Sequence, residues 1–233
     1  MNGIILNTQK AFQLLLSGDA ELWSIVLLSF SVSLKAIIIS TPVAMLVAFA
    51  LNYGKFPWIK IILAIINSLL TVPTVVIGLF VYILLTSQGP FGDLRLLFTQ
   101  TAMVIGQIFL SFPILVALGY SAIQSADRRI WETSCTLGVP TWFTILTVCY
   151  EVRFGLLAAV ITAFGRIISE VGISMMIGGN IMGYTRNITT AIALETSKGE
   201  FAQGIALGLV LLLLSFLLTA CLSYIQGQKN FKT

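Results

Sequence analysis

Apolar residues run along this chain in five long stretches, approximately 22–51, 58–85, 101–121, 154–177 and 203–225, separated by short polar connections. A bilayer core about 30 Å thick takes roughly 20 helical residues to cross, and backbone amides in lipid must be satisfied within their own segment. The pattern therefore predicts about five transmembrane helices, the first two long enough to tilt or to extend past the headgroups. Pro42, Pro73 and Pro113 fall inside three of these stretches. Each removes an amide donor, so each is expected either to bend its helix or to be tolerated as prolines commonly are in membranes. Ahead of the first stretch, Phe12, Leu15 and Leu16 stand at i, i+3 and i+4 after a possible cap at Asn7 and Thr8. That spacing predicts an interfacial amphipathic helix.

The resulting organisation is an amphipathic segment over 1–20, a membrane domain over 21–226 and a tail over 227–233, with the longest polar connection at about 122–153. The first ten residues have no basic region and no small-residue cleavage site, so this segment is expected to persist. No short-period repeat, low-complexity tract or soluble domain interrupts the pattern.

Composition agrees: 58% of the 233 residues are apolar and 9% are charged, against roughly 25% charged in soluble domains. The net charge of +4 is spread between apolar runs and forms no basic stripe, which argues against a nucleic-acid partner. Histidine is absent, so no His-based triad or His-ligated metal site exists. Cys135, Cys149 and Cys221 are odd in number without metal-ligand spacing, and free thiols are expected. No Gly-x-x-x-x-Gly-Lys-Ser/Thr run is present, so nucleotide hydrolysis is not expected of this chain. No catalytic, cofactor-binding or metal-binding residue is assigned.

Orientation follows the positive charges, because Lys and Arg in short loops are retained in the cytoplasm. Lys55, Lys60, Arg128, Arg129, Arg153, Lys229 and Lys232 share one side, seven against the four of Lys10, Arg95, Arg186 and Lys198. The N-terminus is expected outside and the C-terminus in the cytoplasm, as an odd number of spans requires.

The 122–153 connection is then cytoplasmic. Residues 130–137 have helical character, Gly138 suits a left-handed cap, Pro140 blocks continuation, and a second amphipathic segment starts at Thr141. This predicts a helix–turn–helix knob. Here the sequence resembles the EAA loop of ABC importer permeases, with Glu132, Thr133 and Ser134 in the leading positions and Gly138 at the expected spacing. It departs at the end of the pattern, where Val148, Tyr150 and Glu151 replace Ile, Leu and Pro. The bland alternative is an amphipathic loop helix on the bilayer surface.

The likeness continues in Phe164, Arg166, Glu170 and Gly172, followed by Gly179, Asn180, Gly183 and Thr185, a pattern similar to the molybdate, tungstate and sulfate permeases. Residues 189–200, TTAIALETSKGE, and residues 72–79, VPTVVIGL, bring it closest to the tungstate-type branch. The resemblance implies an all-α integral membrane protein of the MetI-like permease fold in the plasma membrane. It implies a homodimer that moves an inorganic oxyanion by alternating access, tungstate first and molybdate or sulfate as the alternatives. It also implies cytoplasmic ABC ATPase subunits, which use ATP and Mg, and an extracytoplasmic oxyanion-binding protein. The coupling loop would comprise Arg128, Arg129, Trp131, Glu132, Thr133, Ser134, Leu137, Gly138 and Val139, with Trp131, Leu137 and Val139 as apolar contacts to the ATPase.

Candidate anion-pathway residues are the ionised or anion-attracting groups at membrane depth or near it. Arg166 and Glu170 are one helical turn apart, and either neutralise one another or face the pathway. Lys35 either lines the pathway or snorkels to an interface. Gly179 and Asn180, with Arg186 nearby, form either an anion-attracting nest or a tight turn. Two remoter possibilities are a partner-independent channel or secondary transporter and an intramembrane enzyme, the latter unsupported by any catalytic constellation.

Overall fold

The computed structural model describes residues 2–54 and 57–230, and side chains from Thr8 to Tyr224 within that range. Lys55 and Lys232, and the side chain of Lys229, which entered the charge count above, lie outside the described residues. All regular structure among the described residues is helical: α1 (Asn2–Leu16), α2 (Ala20–Tyr53), α3 (Ile59–Leu69), α4 (Thr74–Leu85), α5 (Gln100–Gln124), α6 (Arg128–Thr136), α7 (Thr141–Glu151), α8 (Arg153–Ile168), α9 (Gly172–Gly178), α10 (Ile188–Lys198) and α11 (Phe201–Asn230), with one 3₁₀ turn at Gly92–Leu94.

Three helices, α2, α5 and α11, are long and apolar enough to cross a membrane, and up to five spans result if the bent pairs α3 with α4 and α7 with α8 each count as one. Two predicted spans are thus not continuous. The second breaks between Leu69 and Thr74, because Pro73 has no amide to donate and steers the residue before it away from helical backbone. Near the break hydroxyls add bonds to backbone carbonyls: Ser68 Oγ donates to Ala64 O and Thr71 Oγ1 to Ser68 O. The fourth, expected over 154–177, breaks after Ile168 with no proline to mark it. Pro42 and Pro113 do lie inside helices, in α2 and α5.

The chain forms two compact units. The first comprises 1–36, 73–110 and 165–219; the second comprises 37–72, 111–164 and 220–233.

In the first unit, α9 packs against α4 and α5 through glycines that permit close approach. A Cβ on Gly78 of α4 would lie 3.2 Å from the backbone of Ile173 and 3.2 Å from Met176 Sδ, and one on Gly106 of α5 would collide with Ile173 and Ile177. A separate apolar cluster joins Ala11 of α1, Leu22, Ile25 and Val26 of α2, Ile188 and Ala191 of α10, and Ala206 and Leu207 of α11. The N-terminal segment is helical as expected, but it starts at Asn2, before the cap proposed at Asn7 and Thr8. Its buried seam is Ala11 with Leu14 and Leu15 packed alongside, while Phe12 and Leu16 point outward. Phe216 of α11 is 80% exposed and Leu212, Leu213 and Leu217 are also bare, along a helix long and apolar enough to cross a membrane.

In the second unit, Ala48 and Phe49 of α2, Ile123 of α5, Val148 of α7 and Val152 gather in one core. Ser40 and Ser111 hydroxyls pair at 3.0 Å, and Asn52 Nδ2 donates to Tyr120 O at 2.9 Å, tying α2 to α5 by polar links in an apolar setting.

Candidate functional site

Two constellations hold the coupling-loop residues and the Arg166–Glu170 pair, and each falls inside one unit. In the second unit, Asp127 starts α6: its Oδ1 accepts the Arg129 amide at 2.9 Å, satisfying one of the orphan donors of a helix start. The end of α6 is a complete Schellman turn. Gly138 N donates to Cys135 O at 3.2 Å, Val139 N donates to Ser134 O at 3.0 Å, and Gly138 has φ +70°. Pro140 then caps α7, which meets α8 at a 75° bend.

The helix has two faces. Ile130, Trp131 and Ser134 turn inward, and Ile130 and Trp131 pack on the core shared by α2, α5 and α7. Arg129, Glu132, Thr133, Thr136 and Leu137 are exposed at i, i+3, i+4, i+7 and i+8, one continuous stripe with Leu137 at 75% exposure. Arg128 and Gly138 are exposed as well, while Val139 is half-buried. Trp131, grouped above with the outward apolar contacts, stacks on Tyr53 with ring centroids 3.9 Å apart and planes 13° from parallel.

The other constellation lies in the first unit, at the break between α8 and α9. Glu170 is 4% exposed, and both carboxylate oxygens are engaged. Oε2 accepts from Arg166 Nη1 at 2.9 Å and Oε1 accepts the Gly172 amide at 2.9 Å. Its carbonyl oxygen accepts from Thr189 Oγ1 at 2.9 Å. Isolated burial of a carboxylate would be prohibitive, but here the charge caps the first residue of α9 and meets a guanidinium. Arg166 itself is 47% exposed, so this ion pair has one wet end.

Beyond Thr189 the network continues through Asn187, whose Oδ1 accepts the Thr190 amide and whose Nδ2 donates to Ser174 Oγ, both at 2.9 Å. The Asn187 amide donates in turn to Thr190 Oγ1, a capping box that starts α10. Ser29 Oγ accepts the amide of Ile188 at 2.8 Å, bringing α2 into the cluster. Sequence reasoning misses this buried set. The Asn187-x-x-Thr190 spacing of a capping box is the available signal.

The remaining candidates stand apart from that cluster. Gly179, Asn180 and Gly183 all have positive φ, and Thr185 closes their turn by accepting from Ile181 N and donating to Gly178 O. A Cβ on Gly179 would press on the Phe98 ring. Arg186 has an 11% exposed side chain whose Nη1 is 3.7 Å from Glu21 Oε1, a held charge rather than a mobile one. Lys35 is exposed on α2, and no carboxylate among the described residues pairs with it. All three cysteines are unpaired thiols. No cluster of His, Cys, Asp and Glu able to hold a metal occurs among the described residues.

Residues 40–228 match the family described as the binding-protein-dependent transport system inner membrane component. The chain belongs to this family. Among relatives of this permease family member, the tungstate uptake system permease protein of Peptoclostridium acidaminophilum is 39% identical over 220 residues, covering 94% of this chain and 96% of that one. The corresponding protein of Campylobacter jejuni is 43% identical over 173 residues, covering 74% and 71%. More distant is the molybdenum transport system permease protein of Escherichia coli, 27% identical over 89% of this chain and 96% of its own length. Among solved structures, the MetNI methionine ABC transporter in an inward-facing conformation superposes with TM-score 0.62 and 14% identity, covering 88% of this chain and 94% of that one. That likeness establishes the MetI-like fold of this membrane-integral family member.

Proposed function

We propose that this chain is the membrane-spanning subunit of an ABC importer for tungstate. The observation that carries this is the 39% identity sustained over 94% of the chain to a tungstate uptake permease. Two copies would form the translocation unit, with the N-terminus outside and the C-terminus and the α6–α7 element in the cytoplasm. Separate ATPase subunits would supply energy, since the sequence contains no phosphate-binding loop of its own. They would grip the exposed stripe of α6 from Arg129 to Leu137, and an extracytoplasmic binding protein would deliver the oxyanion to the outer loops.

In this reading, Gly138 and its Schellman turn fix the angle between α6 and α7, so that a push on the stripe moves a rigid body. Arg166, half exposed beside Glu170, offers an approaching dianion a cation whose charge is already partly compensated. Compensation keeps the binding weak, as a conducting path requires. Lys35 on α2 is a second such cation, and the Gly179–Asn180 turn near Arg186 is the outer vestibule candidate.

Competition among tungstate, molybdate and sulfate for ATP-dependent uptake by the assembled transporter tests the substrate. Tungstate is expected to win at the lowest concentration. Preferential loss of uptake to molybdate would replace the substrate with the one named for the more distant Escherichia coli relative, and nucleotide-independent flux would overturn the importer reading altogether.

A further inference from the structure

We infer that the Tyr53–Trp131 stack is the mechanical link through which α6 moves α2, so that Trp131 is a positioning residue of the transport cycle and not a docking contact. The inference rests on the importer reading above.

α6 touches the rest of its unit through one narrow face, since none of its residues is fully buried. On that face Ser134 spends its hydroxyl on Ile130 O within the helix, leaving Ile130 and Trp131 as the side chains packed on the core. Trp131 is the larger, and its ring lies flat on Tyr53, the last residue of α2, at 3.9 Å between centroids. Tyr53 in turn stacks on Phe49 at 6.2 Å, and Phe49 is 5% exposed inside the core. The aromatic column therefore runs from α6 down the final turn of α2. Aromatic pairs of this kind contribute about 0.5–1.5 kcal/mol beyond their buried area and resist shear because the rings must unstack to slide.

The neighbouring helix end is held as well. Asn52 binds the backbone of Tyr120 at 2.9 Å, which ties the last turn of α2 to α5 beside the stack. A displacement of α6 thus has a short, stiff path into α2, the helix that also carries Lys35. The outward stripe of Arg129, Glu132, Thr133, Thr136 and Leu137 remains free for a partner at the same time, because the two faces of α6 do not share residues.

The experiment uses the complete transporter in proteoliposomes, with tungstate uptake and ATP hydrolysis measured together and co-purification of the ATPase subunit scored separately. In Trp131→Ala and in Tyr53→Ala, tungstate moved per ATP is expected to fall about tenfold, with the double variant no worse than either single one, as for two halves of one link. The ATPase subunit is expected to co-purify with all of them. Trp131→Phe, which keeps a stacking ring, is expected to restore most of the ratio, and it carries the test where the alanine variant fails to fold. Loss of the ATPase subunit from Trp131→Ala but not from Tyr53→Ala would make Trp131 a docking contact and overturn the link. An unchanged uptake-to-hydrolysis ratio in both variants would overturn it too. Absence of ATP-dependent uptake in the wild-type complex would instead defeat the importer reading on which the link depends.

Discussion

The element at α6 and the cluster at Glu170 handle polar groups in opposite ways. α6 contains no buried residue, and its capping contacts reach at most a few positions along the chain. The Glu170 cluster buries Glu170, Ser174, Asn187, Thr189, Thr190 and Ser29, and joins segments as distant as α2 and α10. Local, exposed bonds make an element that keeps its own shape whatever touches it, which suits a surface to be gripped. Buried, long-range bonds make a joint in which every member depends on the others, because an orphaned polar atom in a low-dielectric interior costs far more than the bond it made contributed. Substitutions at the cluster should therefore act on stability, and substitutions at α6 on transport.

Glu170→Ala is the strongest challenge to that division. It strips the cap from Gly172, removes the acceptor facing Arg166 and leaves a cavity where a buried side chain stood, which together cost about 3–5 kcal/mol. The wet end of the pair places the expected loss at the low edge of that range. Thermal unfolding in detergent should drop sharply, and a variant that melts like wild type but fails to transport would move Glu170 out of the structural role.

Arg166→Ala sharpens the comparison, since it removes the cation while leaving the Gly172 cap on Glu170 in place. If the pair is only structural, stability should fall by about 3 kcal/mol, because the buried Glu170 carboxylate keeps the Gly172 amide but loses its compensating cation, with uptake per folded molecule unchanged. If the guanidinium also meets the anion, uptake per folded molecule falls too, and measuring both quantities in one preparation separates the cases.

Gly138→Trp tests the opposite region. The site has φ +70° and a Cβ added there would meet open space, so the penalty is the left-handed backbone, about 1–2 kcal/mol, without a clash at the first side-chain atom. The protein should still insert and fold. Uptake should be lost while the ATPase continues to turn over, because the angle between α6 and α7 is no longer held. Normal uptake by this variant would remove the turn from the coupling path.

These regions also differ in how far the amino-acid sequence discloses them. Gly138 and Pro140 announce the end of α6 because capping chemistry is local, and the fold agrees to within a few residues. The long apolar stretches announce α2, α5 and α11 for the same reason. The breaks are harder. Pro73 is legible as a perturbation, but a continuous apolar run hides that it ends one helix and starts another. The break at 169–171 has no proline, and depends on Glu170 reaching forward to Gly172. Past its Asn187-x-x-Thr190 start, α10 is hard to read as a helix because its Thr and Glu residues look solvent-exposed in a linear reading, yet Thr189, Thr190 and Glu195 are buried and Thr189 bonds the distant Glu170 carbonyl. The inward turn of Trp131 is equally hidden, because nothing near it in sequence reveals Tyr53.

The mildest variant examines whether local really means dispensable for the joint. Asp127→Ala deletes the one side-chain bond that starts α6, and loss of such a cap costs about 0.5–2 kcal/mol of helix stability. Because Asp127 is exposed, the amide it releases at Arg129 can turn to water, and the loss should sit at the bottom of that range. Melting of the whole protein should hardly move. The first turn of α6 should fray, which hydrogen exchange of the Arg128–Ile130 amides would read directly, while the Trp131 stack holds the rest of the helix on α2. Faster exchange confined to that turn supports an element held from its inner face; faster exchange spreading through Thr136 would mean that the cap, and not the aromatic contact, is what keeps α6 folded.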